Sequence, residues 1–98
     1  MSTTVLLELV IREDAGDVTA VIQRLLAQTA DFPGCLGLEV IIDDADRQRY
    51  IVIERWETAS AHDAYAAWRA TPEGAPSELG AFLAGPPAQR VFSTSVAL

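Results

Sequence analysis

The chain of 98 residues contains no lysine and no asparagine, and it has one cysteine, one histidine and one methionine. Each scarcity excludes something. With Cys35 alone there is no internal disulfide and no cysteine-based metal site, and such a chain suits a reducing, cytoplasmic setting. All seven cations are arginines, set against 14 aspartates and glutamates for a net charge of −7. They are scattered from Arg12 to Arg90 and form no basic stripe. A partner rich in phosphate, whether nucleic acid or an anionic membrane surface, needs such a stripe and is excluded. No apolar run approaches the roughly 18 residues of a membrane span. Residues 1–11 lack the basic and then apolar pattern of a signal peptide.

What is present is globular. Half of the residues are hydrophobic, and the length fits one domain over residues 1–98. A chain of this size buries roughly two-thirds of its unfolded surface, which gives one modest core that dimerisation commonly enlarges.

Thr3 to Ile11 reads as a strand with two apolar faces, Leu7, Leu9 and Ile11 on one and Leu6 and Val10 on the other. Asp17 is placed to cap a helix in which Val18, Val21, Ile22, Leu25, Leu26 and Thr29 recur at helical spacing. Pro33-Gly34 ends that helix. Leu36, Leu38, Val40 and Ile42 alternate along a second strand, and an acidic turn at Asp43 to Asp46 joins it to a third, Arg49 to Trp56. Thr58 or Ser60 opens a second helix that runs to about Arg69, with Ser60 and Asp63 at capping-box spacing. After a Pro/Gly loop, Ser77 is placed to cap a short helix carrying Leu79, Phe82 and Leu83, and Gln89 to Ala97 forms a last strand. The order β-α-β-β-α-β predicts an α+β, ferredoxin-like split β-α-β fold, an antiparallel four-stranded sheet with helices on one face. Because the first strand is apolar on both sides, the uncovered sheet face calls for a second copy of the chain.

Three motifs, in order and on these elements, give a resemblance. Phe32-Pro33-Gly34-Cys35-Leu36-Gly37-Leu38-Glu39-Val40 resembles the opening of the second strand in antibiotic biosynthesis monooxygenase domains. Ile53-Glu54-Arg55-Trp56-Glu57-Thr58 is similar to the end of their third strand. Gly85-Pro86-Pro87 ahead of a strand with Phe92 resembles their polyketide-tailoring branch. The likeness runs from about Val5 to Val96. It implies a dimeric α+β barrel and a pocket between sheet and helices. In some relatives that pocket serves oxidation of anthrones or quinols by O₂ without metal or flavin. Other relatives bind and degrade haem.

Residue by residue, Trp56 matches the family's pocket tryptophan, although a tryptophan ending a strand is as readily a core aromatic. His62 stands where oxygenating relatives carry a tyrosine; a histidine there is suited to taking a proton near neutral pH, and the bland alternative is an exposed imidazole. Catalysis is therefore assigned to His62 and Trp56. The substrate-binding set is Tyr65, Trp68, Glu54 and Phe82, with Glu54 sharing the Trp56 face by strand alternation and more readily salt-bridged to an arginine than reactive. Arg69 is either an anchor for an anionic ligand or a complement to the helix dipole. Two departures weaken the inherited mechanism: Val52 replaces a pocket asparagine, and Gly80 replaces a pocket arginine. The expected activity is a cofactor-independent monooxygenase for a small aromatic, anthrone- or quinol-type substrate. The alternatives are a non-catalytic binding module and a haem protein using His62.

Overall fold

A computed structural model describes residues 2–98, so residue 1 of the expected span lies outside it. Along the chain run β1 (Thr3–Val10), α1 (Thr19–Asp31), β2 (Cys35–Ile42), β3 (Arg49–Trp56), α2 (Ala59–Arg69), α3 (Ser77–Gly80) and β4 (Ala88–Phe92). The strands form one antiparallel sheet in the order β2-β3-β1-β4. This is the ferredoxin-like α+β arrangement that the order of elements predicts.

The pairing register sorts the side chains, because residues directly opposite share a face. Thr3, Val5, Leu7 and Leu9 of β1 lie opposite Trp56, Glu54, Val52 and Tyr50 of β3. These carry the covered face: Val5, Leu9, Val52 and Trp56 are buried, as is Glu54. Leu6, Ile51, Ile53 and Val10 point to the other face, where they are half-buried. The core has two parts. One packs Leu9, Ile11 and Val52 against Val18 and Ile22 of the α1 region, and the other packs Val5 and Trp56 against Tyr65 of α2.

Several element ends differ from the sequence reading, each for a local reason. β1 stops at Val10, and Ile11 makes an isolated bridge to Leu83 instead. Asp17 does accept a hydrogen bond from the Thr19 amide at 2.9 Å, but it sits one residue ahead of the capping position, which Val18 occupies. Thr58 alone caps α2, accepting from the Ala61 amide at 3.1 Å. Pro76, not Ser77, precedes α3, and the helix ends before Phe82 and Leu83. In β2 a bulge between Cys35 and Gly37 breaks the alternation, so Leu36 is turned out to 56% exposure. β4 ends at Phe92 because its sole neighbour ends too: Phe92 pairs with Thr4, and β1 begins at Thr3. The expected continuation to Ala97 has no strand to pair with.

Candidate functional site

Two cavities of ligand size lie on the covered side. One, of about 360 Å³, lies between α1 and the β2–β3 hairpin and is lined by Ile22, Leu38, Val40 and Ile42. The other, of about 430 Å³, is floored by Leu7 and Leu9 of β1 and walled by α1, α2 and the α3 region. Only the second holds buried ionisable side chains, Glu54 and His62. A mostly apolar cleft with a few convergent polar groups is the usual form of a small-molecule site.

Glu54 reaches the cavity because β3 alternates and Glu54 falls two residues before Trp56, on the covered face. It is 2% exposed. Its Oε1 accepts a hydrogen bond from Trp56 Nε1 at 3.0 Å. It forms no ion pair among the described residues, so the expected salt bridge to an arginine is replaced by this single neutral donor. Burial holds the carboxyl above its ordinary pKa, and the Trp56 bond, the nearby His62 and then Arg69 offset part of the rise. His62, in the first turn of α2, is 4% exposed and meets Trp56 edge-on, ring centres 5.7 Å apart. Among the described residues no buried side-chain nitrogen or oxygen lacks a partner. Among the described residues Glu54 Oε2 and the His62 ring nitrogens have no hydrogen-bond partner, so these atoms are not sealed off from solvent, and both residues line the cavity.

Tyr65 also lines the cavity, but with its ring. Its hydroxyl is 2.8 Å from Thr29 Oγ1 and accepts from Arg69 Nε at 2.8 Å. Arg69 is tied on every side. Nη1 donates to Gln28 Oε1 (2.9 Å) and the Gly74 carbonyl (3.2 Å), and Nη2 to the Leu25 carbonyl (2.8 Å) and Thr29 Oγ1 (3.1 Å). With the bond to Tyr65, all five guanidinium donors are used. Its flat face also stacks on Trp68 at 4.7 Å. Arg69 is therefore neither a free anion anchor nor merely a dipole complement. It is the clamp that holds α2 against α1 and the 71–76 loop, and sequence spacing carries no sign of that role.

Trp56, Trp68 and Phe82 do not line the cavity. Trp56 is fully buried behind Glu54, at the centre of an aromatic cluster with Phe32, His62 and Tyr65. Trp68 faces away from the cavity, packed on Phe32 and Arg69. Phe82 falls beyond the end of α3 and packs on the Leu9–Val52 core. Their places are taken by residues the sequence reading did not single out for the site, notably Leu7, Leu9 and Gln89. Leu7 and Gln89 pair directly across β1 and β4. The alternation of β1 carried that signal for the two leucines. Among the described residues no three His, Cys, Asp or Glu side chains cluster as a metal site, and no helix is long and apolar enough to cross a membrane.

Solved structures share this architecture. Rv0793 from Mycobacterium tuberculosis superposes with a TM-score of 0.79 at 19% identity, covering 99% of this chain and 98% of that one. SnoaB, a cofactor-independent oxygenase from Streptomyces nogalater, gives 0.80 at 18% identity, covering 99% and 96%. A conserved protein from Methanosarcina mazei Go1 gives 0.80 at 12% identity, covering 97% and 94%. At these identities the likeness establishes the fold. No curated protein sequence matches the chain. The family profile for antibiotic biosynthesis monooxygenases matches residues 4–73, from β1 through α2 into the loop after it, and the chain belongs to the antibiotic biosynthesis monooxygenase family.

Proposed function

We propose that this chain oxidises a small, electron-rich aromatic substrate of the anthrone or quinol type with O₂, using no metal or flavin. The observation that carries the reading is that Glu54 and His62, two buried ionisable residues suited to acid–base work, line one mostly apolar cavity. For an anthrone the stoichiometry closes without a reductant: a ring CH₂ and O₂ give a ring C=O and water. His62 takes the first proton from the CH₂ carbon. The resulting carbanion passes one electron to O₂, and the radical and superoxide join as a peroxide. Breaking the O–O bond while the second hydrogen leaves the carbon gives the carbonyl, and one oxygen departs as water. The imidazolium formed by the first transfer stays beside the carbanion, and in a water-poor cavity their attraction is stronger than it would be in water. The likeness to SnoaB, described as a cofactor-independent oxygenase, supports the reading.

The chain's partner, on this reading, is a second copy of itself. Leu6, Val10, Ile41, Ile51, Ile53 and Phe92 share the face that no helix covers, and Ile41 and Phe92 are 47% and 41% exposed. An apolar patch of this kind marks an interface.

Oxygen uptake tests the activity. Metal-stripped protein mixed with anthrone or a reduced naphthoquinone should consume O₂ faster than buffer and yield the carbonyl product. Binding without added uptake across both substrates would favour a non-catalytic binding module of the same fold. A Soret band on titration with haemin, lost in His62→Ala, would point to haem binding instead.

A further inference from the structure

We infer that the Glu54–His62 cavity takes uncharged hydroxyarenes and excludes aromatic carboxylates and other organic anions. The inference rests on the aromatic-substrate reading and adds the charge of the ligand to it. A buried anion needs a fixed cation or several converging donors, and without them its desolvation is not offset. Arg69 is the one arginine lining the cavity, and its five N–H groups are already bound to Leu25, Gln28, Thr29, Tyr65 and Gly74. An incoming carboxylate would have to break the clamp to use it. The Tyr65 hydroxyl is committed to Thr29 and Arg69.

Among the described residues, the lining side-chain groups without a hydrogen-bond partner are Glu54 Oε2, the His62 ring nitrogens and the Gln89 amide at the β4 side. Glu54 and His62 face the ligand together, so their charges are counted as a pair. A protonated imidazole beside an ionised carboxyl is neutral, as is a neutral imidazole beside a protonated carboxyl; one proton fewer leaves the pair at −1. Only a second proton would make it +1, so the pair offers an anion no fixed cation. A phenolic hydroxyl, in contrast, can donate to the carboxylate or imidazole and accept from the other member. The remaining lining is apolar side chain that suits a flat ring.

Gly80 permits a direct test. It lines the same cavity, and a Cβ built there would meet no atom within 4 Å, so Gly80→Arg adds a cation at the wall from a position with room for its Cβ. Binding of 1-naphthol and 1-naphthoate is measured by titration calorimetry at neutral pH, where the first is uncharged and the second is an anion. Wild type should bind 1-naphthol at least about tenfold more tightly than 1-naphthoate. The ratio should fall toward one in Gly80→Arg, through a gain for the carboxylate, and fall in Glu54→Gln, which removes the repelling group. Equal or tighter binding of 1-naphthoate by wild type would overturn the inference. So would a ratio unchanged in both variants, since the discrimination would then not come from charge. Binding of neither compound would overturn it together with the aromatic-site reading, whereas selective binding of 1-naphthol without oxygen uptake would remove only the oxygenase reading.

Discussion

Glu54 lies opposite Val5 and next to the fully buried Trp56, and the β1–β3 register rather than any charged partner puts a carboxyl there. Its proton linkage gives the first prediction. A carboxyl whose folded pKa lies above its unfolded value binds protons more tightly in the native state, so stability falls as pH rises through that interval. Wild type should lose stability on going from the ordinary carboxylate range toward neutral pH, and Glu54→Gln should lose less, as read by urea midpoints at several pH values. Parallel curves would show that Glu54 does not carry the linkage. Exposed Asp14 and Asp17, held low by Arg12 and by Thr19 respectively, act with the opposite sign and at lower pH, so the wild-type minus variant difference isolates Glu54. In Trp56→Phe the Nε1 donor is lost, so the Glu54 pKa should rise further and the stability profile should move to higher pH. A profile that keeps its shape while only the amplitude falls would make Trp56 a packing residue alone. Strand alternation made the Glu54–Trp56 neighbourhood legible in the sequence. The Arg69 clamp was not, because its partners are spread from Leu25 to Gly74 and meet only after α1, α2 and the loop have packed.

At the scale of elements, two glycines fix how helices sit on the sheet. Gly34 has φ +91°, and a Cβ there would lie 2.5 Å from the Ala61 side chain. The α1–β2 turn thus touches the first turn of α2, which carries His62. Gly74 lets the loop after α2 close on Trp68: a Cβ there would lie 2.1 Å from the Trp68 carbonyl oxygen. Its own carbonyl accepts from Arg69. Gly34→Ala and Gly74→Ala should each destabilise by about 1–3 kcal/mol, the cost of a strained backbone or an overpacked contact. Denaturant titration checks this, and a change within about 0.5 kcal/mol, ordinary for a surface site, would mean that the chain relaxes around the added methyl. Element order and type were readable from periodicity because α1, α2, β1 and β3 keep their spacing over eight residues or more. Ends were harder. The bulge at Leu36 and the early stop of β4 depend on what a neighbouring strand offers, and no local pattern records that.

For the molecule as a whole, the sheet has one face covered by helices and one face that carries Leu6, Val10, Ile41, Ile51, Ile53 and Phe92, with the Glu8–Arg49 ion pair, Glu39, Arg55 and Arg90 among them. Burial of that face in a second copy, as proposed, would remove apolar area from water at about 25 cal/mol per Å², and the Glu8–Arg49 pairing would limit part of the desolvation cost of its charges. Sedimentation at micromolar concentration should give about twice the chain mass. Ile51→Glu together with Ile53→Glu should shift it to one, leaving the helix-side core intact; a wild-type monomer would instead leave this face exposed without a role. The uncovered apolar face was legible in the two-sided apolar pattern of β1, whereas the shape of the cavity, set by where α3 and β4 end, was not.

The central claim is that the imidazole opening into the cavity takes the substrate proton, and steady-state turnover of His62→Phe on an oxygenated anthrone tests it most directly. Phenylalanine keeps an aromatic ring against Trp56 and preserves α2, so folding is checked by an unchanged circular dichroism spectrum. The account predicts turnover lower by about 10²- to 10⁴-fold, the usual contribution of a positioned base, with 1-naphthol still bound. Near-normal turnover in the folded variant would contradict it, and the proton would then have to pass to Glu54.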